Sequence, residues 1–269
     1  MVLTVPLHDG ADPRLGDLVA ADLDRVGVSA ATDVIPEGRL GAYREMVDEA
    51  VRADADLLPA DRLDAEYGRV VFLPHHEPGF LDLLEVDRLI DPCDRVLGAD
   101  ATLYTMTSGC QPAGGSGRSL HVDTSIAVPG FTVGLGVLVL LDDFDERSGP
   151  TRFFPEETIA PPDADEFERR ALELHAPAGS ACWFRARQWH DAMANRTDHW
   201  RRCLILALVR PWVRQRFDMA RMVPTDPAEL SPRVQQKLGF DLLAPGSYDE
   251  YYLPAGERRS ALLDRARRP

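Results

Sequence analysis

The stretch Pro177-Ala-Gly-Ser-Ala-Cys-Trp-Phe-Arg-Ala-Arg-Gln-Trp-His190-Asp-Ala-Met-Ala-Asn195-Arg-Thr-Asp-His-Trp-Arg201-Arg-Cys-Leu-Ile-Leu206 decides how this chain is read. A glycine turn leads into a short apolar run, a tight turn presents a histidine, and a polar loop precedes an arginine that opens a long apolar run. The same texture extends upstream. Segments 101–107, 118–124, 131–141, 151–155, 171–176, 180–186 and 201–210 are β-rich and separated by Gly, Pro and Asp turns. Phe131 to Leu141 and Cys203 to Val209 are apolar on both faces, as central strands are. Short strands at this spacing, with no strand–helix alternation, predict a mainly β fold with helical decorations on a jelly-roll core.

Further out the periodicity changes. The first hundred residues read mainly as helix: 17–25, 39–51 and 80–97 carry apolar residues at helical spacing, and Pro36-Glu-Gly marks one start. Beyond Pro211 the chain turns polar and proline-rich. A helix over 227–238 and an aromatic tail (Tyr248, Tyr251, Tyr252) are expected to pack back over the barrel. With no internal repeat or low-complexity linker, residues 1–269 are expected to form one domain. It would comprise a helical part over 1–100, the jelly-roll core over 101–211 and an extension over 212–269.

Composition narrows the class. A net charge of −14 offers no basic footprint for nucleic acid or an anionic membrane, and only Lys237 among the 30 basic residues is a lysine. Four scattered cysteines with no C-x-x-C spacing suit reduced thiols better than disulfides or a zinc site. The N-terminal residues have neither the basic flank nor the apolar segment of a signal peptide, and no run is long enough to span a bilayer. A cytoplasmic protein, monomer or homodimer, acting on a small molecule is the expectation.

The chemistry concentrates in His121-Val-Asp123 and His190. In an extended strand, positions i and i+2 project from one face, so His121 and Asp123 can reach the same ion. A third ligand from a distant strand completes the 2-His-1-carboxylate set that holds non-haem Fe(II) with coordination positions left open. His175, in an alternating segment, and His199, in the polar loop, are the rival third ligands. Arg201 or its neighbour Arg202 could offer a planar fork to a carboxylate, and periodicity does not choose between them. His75-His76 reads as a surface pair that could line an entrance, and Asp142-Asp143 as a turn.

This order of residues resembles the phytanoyl-CoA dioxygenase-like (PhyH) family of Fe(II)/2-oxoglutarate oxygenases. The family shares an H-x-D, a distal His, an Asn five residues later and a 2-oxoglutarate-binding Arg eleven residues after that His. The matching positions are His121, Asp123, His190, Asn195 and Arg201. The linking segment from Leu140 to Pro155 fits as well, although Glu156-Glu-Thr stands where the family usually continues Gly-Ser-His.

The resemblance implies a double-stranded β-helix (cupin-like) core with Fe(II) held by His121, Asp123 and His190, 2-oxoglutarate on Arg201, and O2 as oxidant; Leu103 and Thr105, alternating on one face of segment 101–107, would lie beside the 2-oxoglutarate. Halogenating relatives replace the carboxylate with a small residue; Asp123 keeps that position filled, which disfavours halogenation. Thr124, Ser125, Arg118, Arg152, Trp189 and Trp212 are candidates to shape the substrate pocket. The expected activity is C–H oxidation of a small secondary metabolite: hydroxylation, or cyclisation, epimerisation or desaturation. The competing reading is a cupin-like metal-dependent isomerase or a non-catalytic binding barrel, which would have no use for the Arg201 clamp.

Overall fold

The computed structural model describes residues 2–59, 67–128, 130–242 and 244–266. Its strands are β1 (Leu3–Thr4), β2 (Leu7–Asp9), β3 (Val28–Thr32), β4 (Thr102–Ser108), β5 (Arg118–His121), β6 (Gly134–Leu140), β7 (Thr151–Phe153), β8 (Leu172–Glu173), β9 (Ala181–Arg185), β10 (His190–Ala192) and β11 (Cys203–Val209). They form a six-stranded sheet in the order β2-β3-β9-β6-β11-β4 and a five-stranded sheet in the order β1-β8-β7-β10-β5. The two sheets enclose one apolar cluster, the jelly-roll interior expected from the strand texture.

The six-stranded sheet is buried on both faces. Leu135, Val137 and Val139 of β6, Trp183 of β9 and Leu204, Leu206 and Leu208 of β11 face a helical layer. Leu138, Leu140, Cys182, Phe184 and Cys203 face the other sheet, together with Phe144 and Phe153. Double-sided burial explains why the central runs show no alternation in sequence. The helical layer is built from α1 (Leu15–Val26), α2 (Glu37–Ala55) and α3 (Asp87–Leu97). The indole N–H of the fully buried Trp183 donates to the Leu89 carbonyl at 3.0 Å, tying the sheet to α3.

Several expectations shift. The first hundred residues also contribute β1, β2 and β3, so the sheets extend beyond 101–211. β3 is a run of five small residues buried in the sheet, too short to show a period. The helix expected over 80–97 divides into a 3-10 helix, Pro78–Glu85, and α3, separated at Val86, whose backbone is extended. The helix over 227–238 is a 3-10 turn followed by Pro232–Lys237, capped by the Ser231 hydroxyl. The aromatic tail does not pack over the barrel: Tyr248, Tyr251 and Tyr252 are all exposed. No helix among the described residues is long and apolar enough to cross a membrane.

The turn before His190 is anchored from two sides. α1 ends on Gly27, whose left-handed conformation (φ 76°) lets its N–H bond the Leu23 carbonyl. A Cβ there would collide with the Gln188 side chain, which lies close enough to donate to the Val26 and Phe154 carbonyls. Gln188 thereby ties the segment before His190 to both α1 and the strand beside it.

Candidate metal centre

β10 runs between β5 and β7, with His190 opposite His121 on one side and Phe153 on the other. The direct cross-strand pairing brings the two imidazoles together, their centroids 4.2 Å apart. β5 ends at His121, and Asp123 lies just beyond it, held by its N–H to the Ala186 carbonyl at 3.0 Å. Its Oδ1 stands 3.9 Å from His121 Nε2 and 3.8 Å from His190 Nε2. One ligand atom from each residue therefore falls within 4.8 Å of the others, and no other such cluster occurs among the described residues.

Both imidazoles are oriented by the backbone. His121 Nδ1 lies 2.8 Å from the Ser119 carbonyl and His190 Nδ1 2.8 Å from the Gln188 carbonyl. A carbonyl only accepts, so each Nδ1 carries a proton, which leaves each Nε2 as the nitrogen facing Asp123 and available to a metal. Burial, and then the charge of the neighbouring His190, push the His121 pKa down to about 4, so its ring is neutral at ordinary pH. His190 is buried against the rings of Phe153 and Phe184. Phe184 reaches it because position 136 is glycine: a Cβ there would lie 2.1 Å from the Phe184 ring. Asp123 stands on the exposed side, so the cluster is dry behind and open in front.

The two arginines separate clearly. Arg202 is spent on carboxylates, bonding Asp48 at 2.8 and 2.9 Å and Asp142 at 3.2 Å. Arg201 is buried, only 3% exposed, and has no carboxylate partner among the described residues. It lies over the Phe144 ring at 4.3 Å, its Nη1 donates to the Gly149 carbonyl, and its Nε has no acceptor. With its amide turned to satisfy both neighbours, Gln111 accepts from Arg201 Nη2 at 3.3 Å and donates to the Met193 carbonyl. Burial lowers the Arg201 pKa, though a guanidinium stays charged in proteins. An uncompensated buried cation fits an acidic ligand. Gly149 adjoins Pro150, whose carbonyl bonds the Met193 N–H, three residues along from His190. At a strand's rise that is about 10 Å from the cluster. The donor set thus suits Fe(II), and the distant guanidinium suits the far carboxylate of a 2-oxo acid chelated there.

Asn195 is structural: its side-chain amide donates to the Pro112 and His199 carbonyls and its oxygen accepts from Thr197, joining the loops on either side of Arg201. The sequence pattern does not single out Gln111 or Gly149, because both meet Arg201 only through the Gln111–Arg201 bridge and the closing of the sheet. The pairing of Leu103 with Thr105 on one face needs correction. An extra residue in β4, Tyr104, which has no partner in β11, sets Thr105 opposite Ala207 but Leu103 opposite Leu208. Leu103 is thereby turned into the helix-facing cluster, away from the interior, while the Thr105 hydroxyl donates to the Val71 carbonyl.

The rival histidines lie elsewhere. His175 bonds Glu173, His199 bonds Asp198, and His76 bonds Asp54. Asp142 is spent on Arg44 and Arg202, and Asp143 caps the Ala178 N–H. Arg118 and Arg152 line an open groove of about 490 Å³ that also includes Glu168 of α4 (Ala164–Arg170). Arg152 there is neutralised by Asp191 and Glu168. Trp189 packs in the cluster of Phe154 and Phe167, and Trp212 is exposed and stacked on Phe131. Thr124 and Ser125 follow Asp123 at the open side.

Comparison with solved structures finds the same fold at low sequence identity. The non-heme alpha ketoglutarate dependent epimerase SnoN from nogalamycin biosynthesis is 19% identical with a TM-score of 0.56, covering 74% of this chain and 85% of its own. The carbocyclase SnoK from the same pathway is 16% identical with a TM-score of 0.59, covering 72% and 83%. HygX from Streptomyces hygroscopicus, solved with nickel and 2-oxoglutarate, is 16% identical with a TM-score of 0.57, covering 74% and 88%. The sequence matches the family model for Phytanoyl-CoA dioxygenase (PhyH) over residues 23–203, which includes all three clustered ligands and Arg201. The chain belongs to the phytanoyl-CoA dioxygenase family of non-haem iron, 2-oxoglutarate-dependent oxygenases.

Proposed function

We propose that His121, Asp123 and His190 hold Fe(II), that Arg201 binds the distal carboxylate of 2-oxoglutarate, and that the enzyme oxidises a C–H bond of a small molecule. The observation that carries this reading is the pairing of three ligand atoms within 4.8 Å with a buried, uncompensated guanidinium further along β10. When bound, iron and 2-oxoglutarate supply oxidising power from O2, with succinate and CO2 as co-products.

The chain's own residues perform the positioning. The Ser119 and Gln188 carbonyls fix both histidine tautomers, and the Ala186 carbonyl fixes the backbone of Asp123. Phe153 and Phe184 exclude water behind His190. Asp123, on the exposed side, leaves the front of the cluster to the substrate. An epimerase and a carbocyclase among the similar structures support tailoring chemistry in natural-product biosynthesis. A metal-only barrel would have no use for a buried cation at this distance, which weighs against a cupin-like isomerase.

The test is spectroscopic. Anaerobic addition of Fe(II) and 2-oxoglutarate should produce a visible metal-to-ligand charge-transfer band. A folded, iron-loaded protein without that band overturns the reading.

A further inference from the structure

Two arginines are buried among the described residues, Arg201 and Arg187, and neither has a carboxylate partner there. 2-Oxoglutarate accounts for the first and leaves the second unexplained. Strand directions separate them. β5 and β7 end, and β10 begins, at the end of the barrel where His121, Phe153 and His190 meet, whereas Arg201 bonds Gly149 beyond the other end of β10. Arg187 belongs to the metal-bearing end, the mouth. The N–H groups of Asp123 and Thr124 both donate to the carbonyl of Ala186, the residue before it.

Arg187 is 9% exposed. Its Nη2 donates to the Thr158 carbonyl at 2.8 Å and, at 3.5 Å, to that of Ile159. Its Nε is buried with no acceptor, and its Nη1 has none among the described residues. The neighbouring guanidiniums differ in having charge or carbonyl partners, although the Arg185 Nε also lacks an acceptor. Arg185 has Asp24 and Glu157. Arg210 has the carbonyls of Thr132 and of Val96 and Leu97 at the end of α3, where a cation is favoured. A cleft joins Arg187 to Thr124, Ile126, Phe131 and Glu157, the last turned towards Arg185 at 3.7 Å. Around it the mouth loops expose Ile126, Val128, Phe131 and Ile159. A half-satisfied fork in a desolvated wall calls for an anionic oxygen pair, and the apolar rim calls for an apolar body.

We infer that Arg187 binds an acidic oxygen group of the organic substrate, a carboxylate or phosphate ester, while the substrate's apolar part lies across Ile126, Val128 and Phe131. This rests on the reading that the triad and Arg201 hold Fe(II) and 2-oxoglutarate. The apolar residues alone would accept neutral hydrocarbons; Arg187 adds selection for acids.

The experiment uses the full chain loaded with Ni(II) and 2-oxoglutarate, and calorimetric titration with phenylalkanoic acids, their amides and the corresponding phosphate monoesters. Acids should bind about tenfold to hundredfold more tightly than amides. Whichever acid binds more tightly, carboxylate or phosphate, identifies the group. Arg187→Gln should erase the acid preference yet leave the anaerobic Fe(II)–2-oxoglutarate band intact. Arg187→Lys keeps the charge and a donor for Thr158 but not the fork, and should weaken acids more than amides, which guards against a folding artefact. Wild type that binds acids and amides alike, or neither, overturns the inference, as does an acid preference that survives in Arg187→Gln. A missing band in wild type instead overturns the metal and co-substrate reading.

Discussion

The two sheets divide the work. The six-stranded sheet has seven-residue strands at β4, β6 and β11, lies buried on both faces and is braced by helices, yet none of the three clustered ligands lies on it. The five-stranded sheet is made of strands of two to four residues, and β5 and β10 carry both histidines of the cluster. Long apolar ladders fold the protein and carry few polar side chains. Short strands at the barrel edge can turn polar side chains inward and still end in loops that face solvent. The contact that reaches the cluster from the large sheet is Phe184, which packs on His190 of the small one.

Four substitutions would break or sharpen that contrast. Asp123→Ala has the largest expected effect: substrate-coupled succinate formation should vanish while the melting temperature of the metal-free protein holds, because Asp123 is exposed and packs no core. Undiminished coupled turnover would remove Asp123 from the ligand set. Next, Arg201→Ala should raise the 2-oxoglutarate requirement on the order of a hundredfold, as expected for removing one partner of a buried charge pair. Arg202→Ala, losing half-buried ion pairs with Asp48 and Asp142, should cost on the order of 1–3 kcal/mol of stability and leave the 2-oxoglutarate requirement unchanged. Titration of the charge-transfer band with 2-oxoglutarate separates the two, and the opposite ranking would exchange their roles. Gly136→Ala, in the large sheet, should destabilise by about 1–3 kcal/mol through overpacking against Phe184. It should also loosen iron binding by displacing Phe184 from His190. Unchanged denaturation and unchanged iron affinity would show that the two sheets are not mechanically linked there.

Much of this was legible before any coordinates. His121, Asp123 and His190 stand out because iron's donor types are few and strand period two puts i and i+2 together. Arg201 stood beside Arg202 as an equal by periodicity, and only the partners of Arg202, Asp48 from α2 and Asp142 after β6, take it out of contention. Leu103 went the other way: strict alternation predicts a shared face with Thr105, and the register shift opposite Ala207 and Leu208 breaks it. β3 escaped notice because Val28-Ser-Ala-Ala-Thr32 owes its strand to pairing with β2 and β9, not to its own composition. Arg187 gave no signal, since its burial depends on the 157–159 segment folding over it.

By itself, the sequence determined the strand texture, the donor set of the candidate metal centre and the family, because these depend on residue type and local period. Tertiary structure alone decided which charges are left without a partner. Compensation is a property of neighbours brought from distant segments: Asp48 and Asp142 neutralise Arg202, Asp24 and Glu157 neutralise Arg185, and nothing among the described residues neutralises Arg201 or Arg187. A buried charge without a partner is costly in a low-dielectric interior. The two that remain are the positions proposed here for acidic ligands.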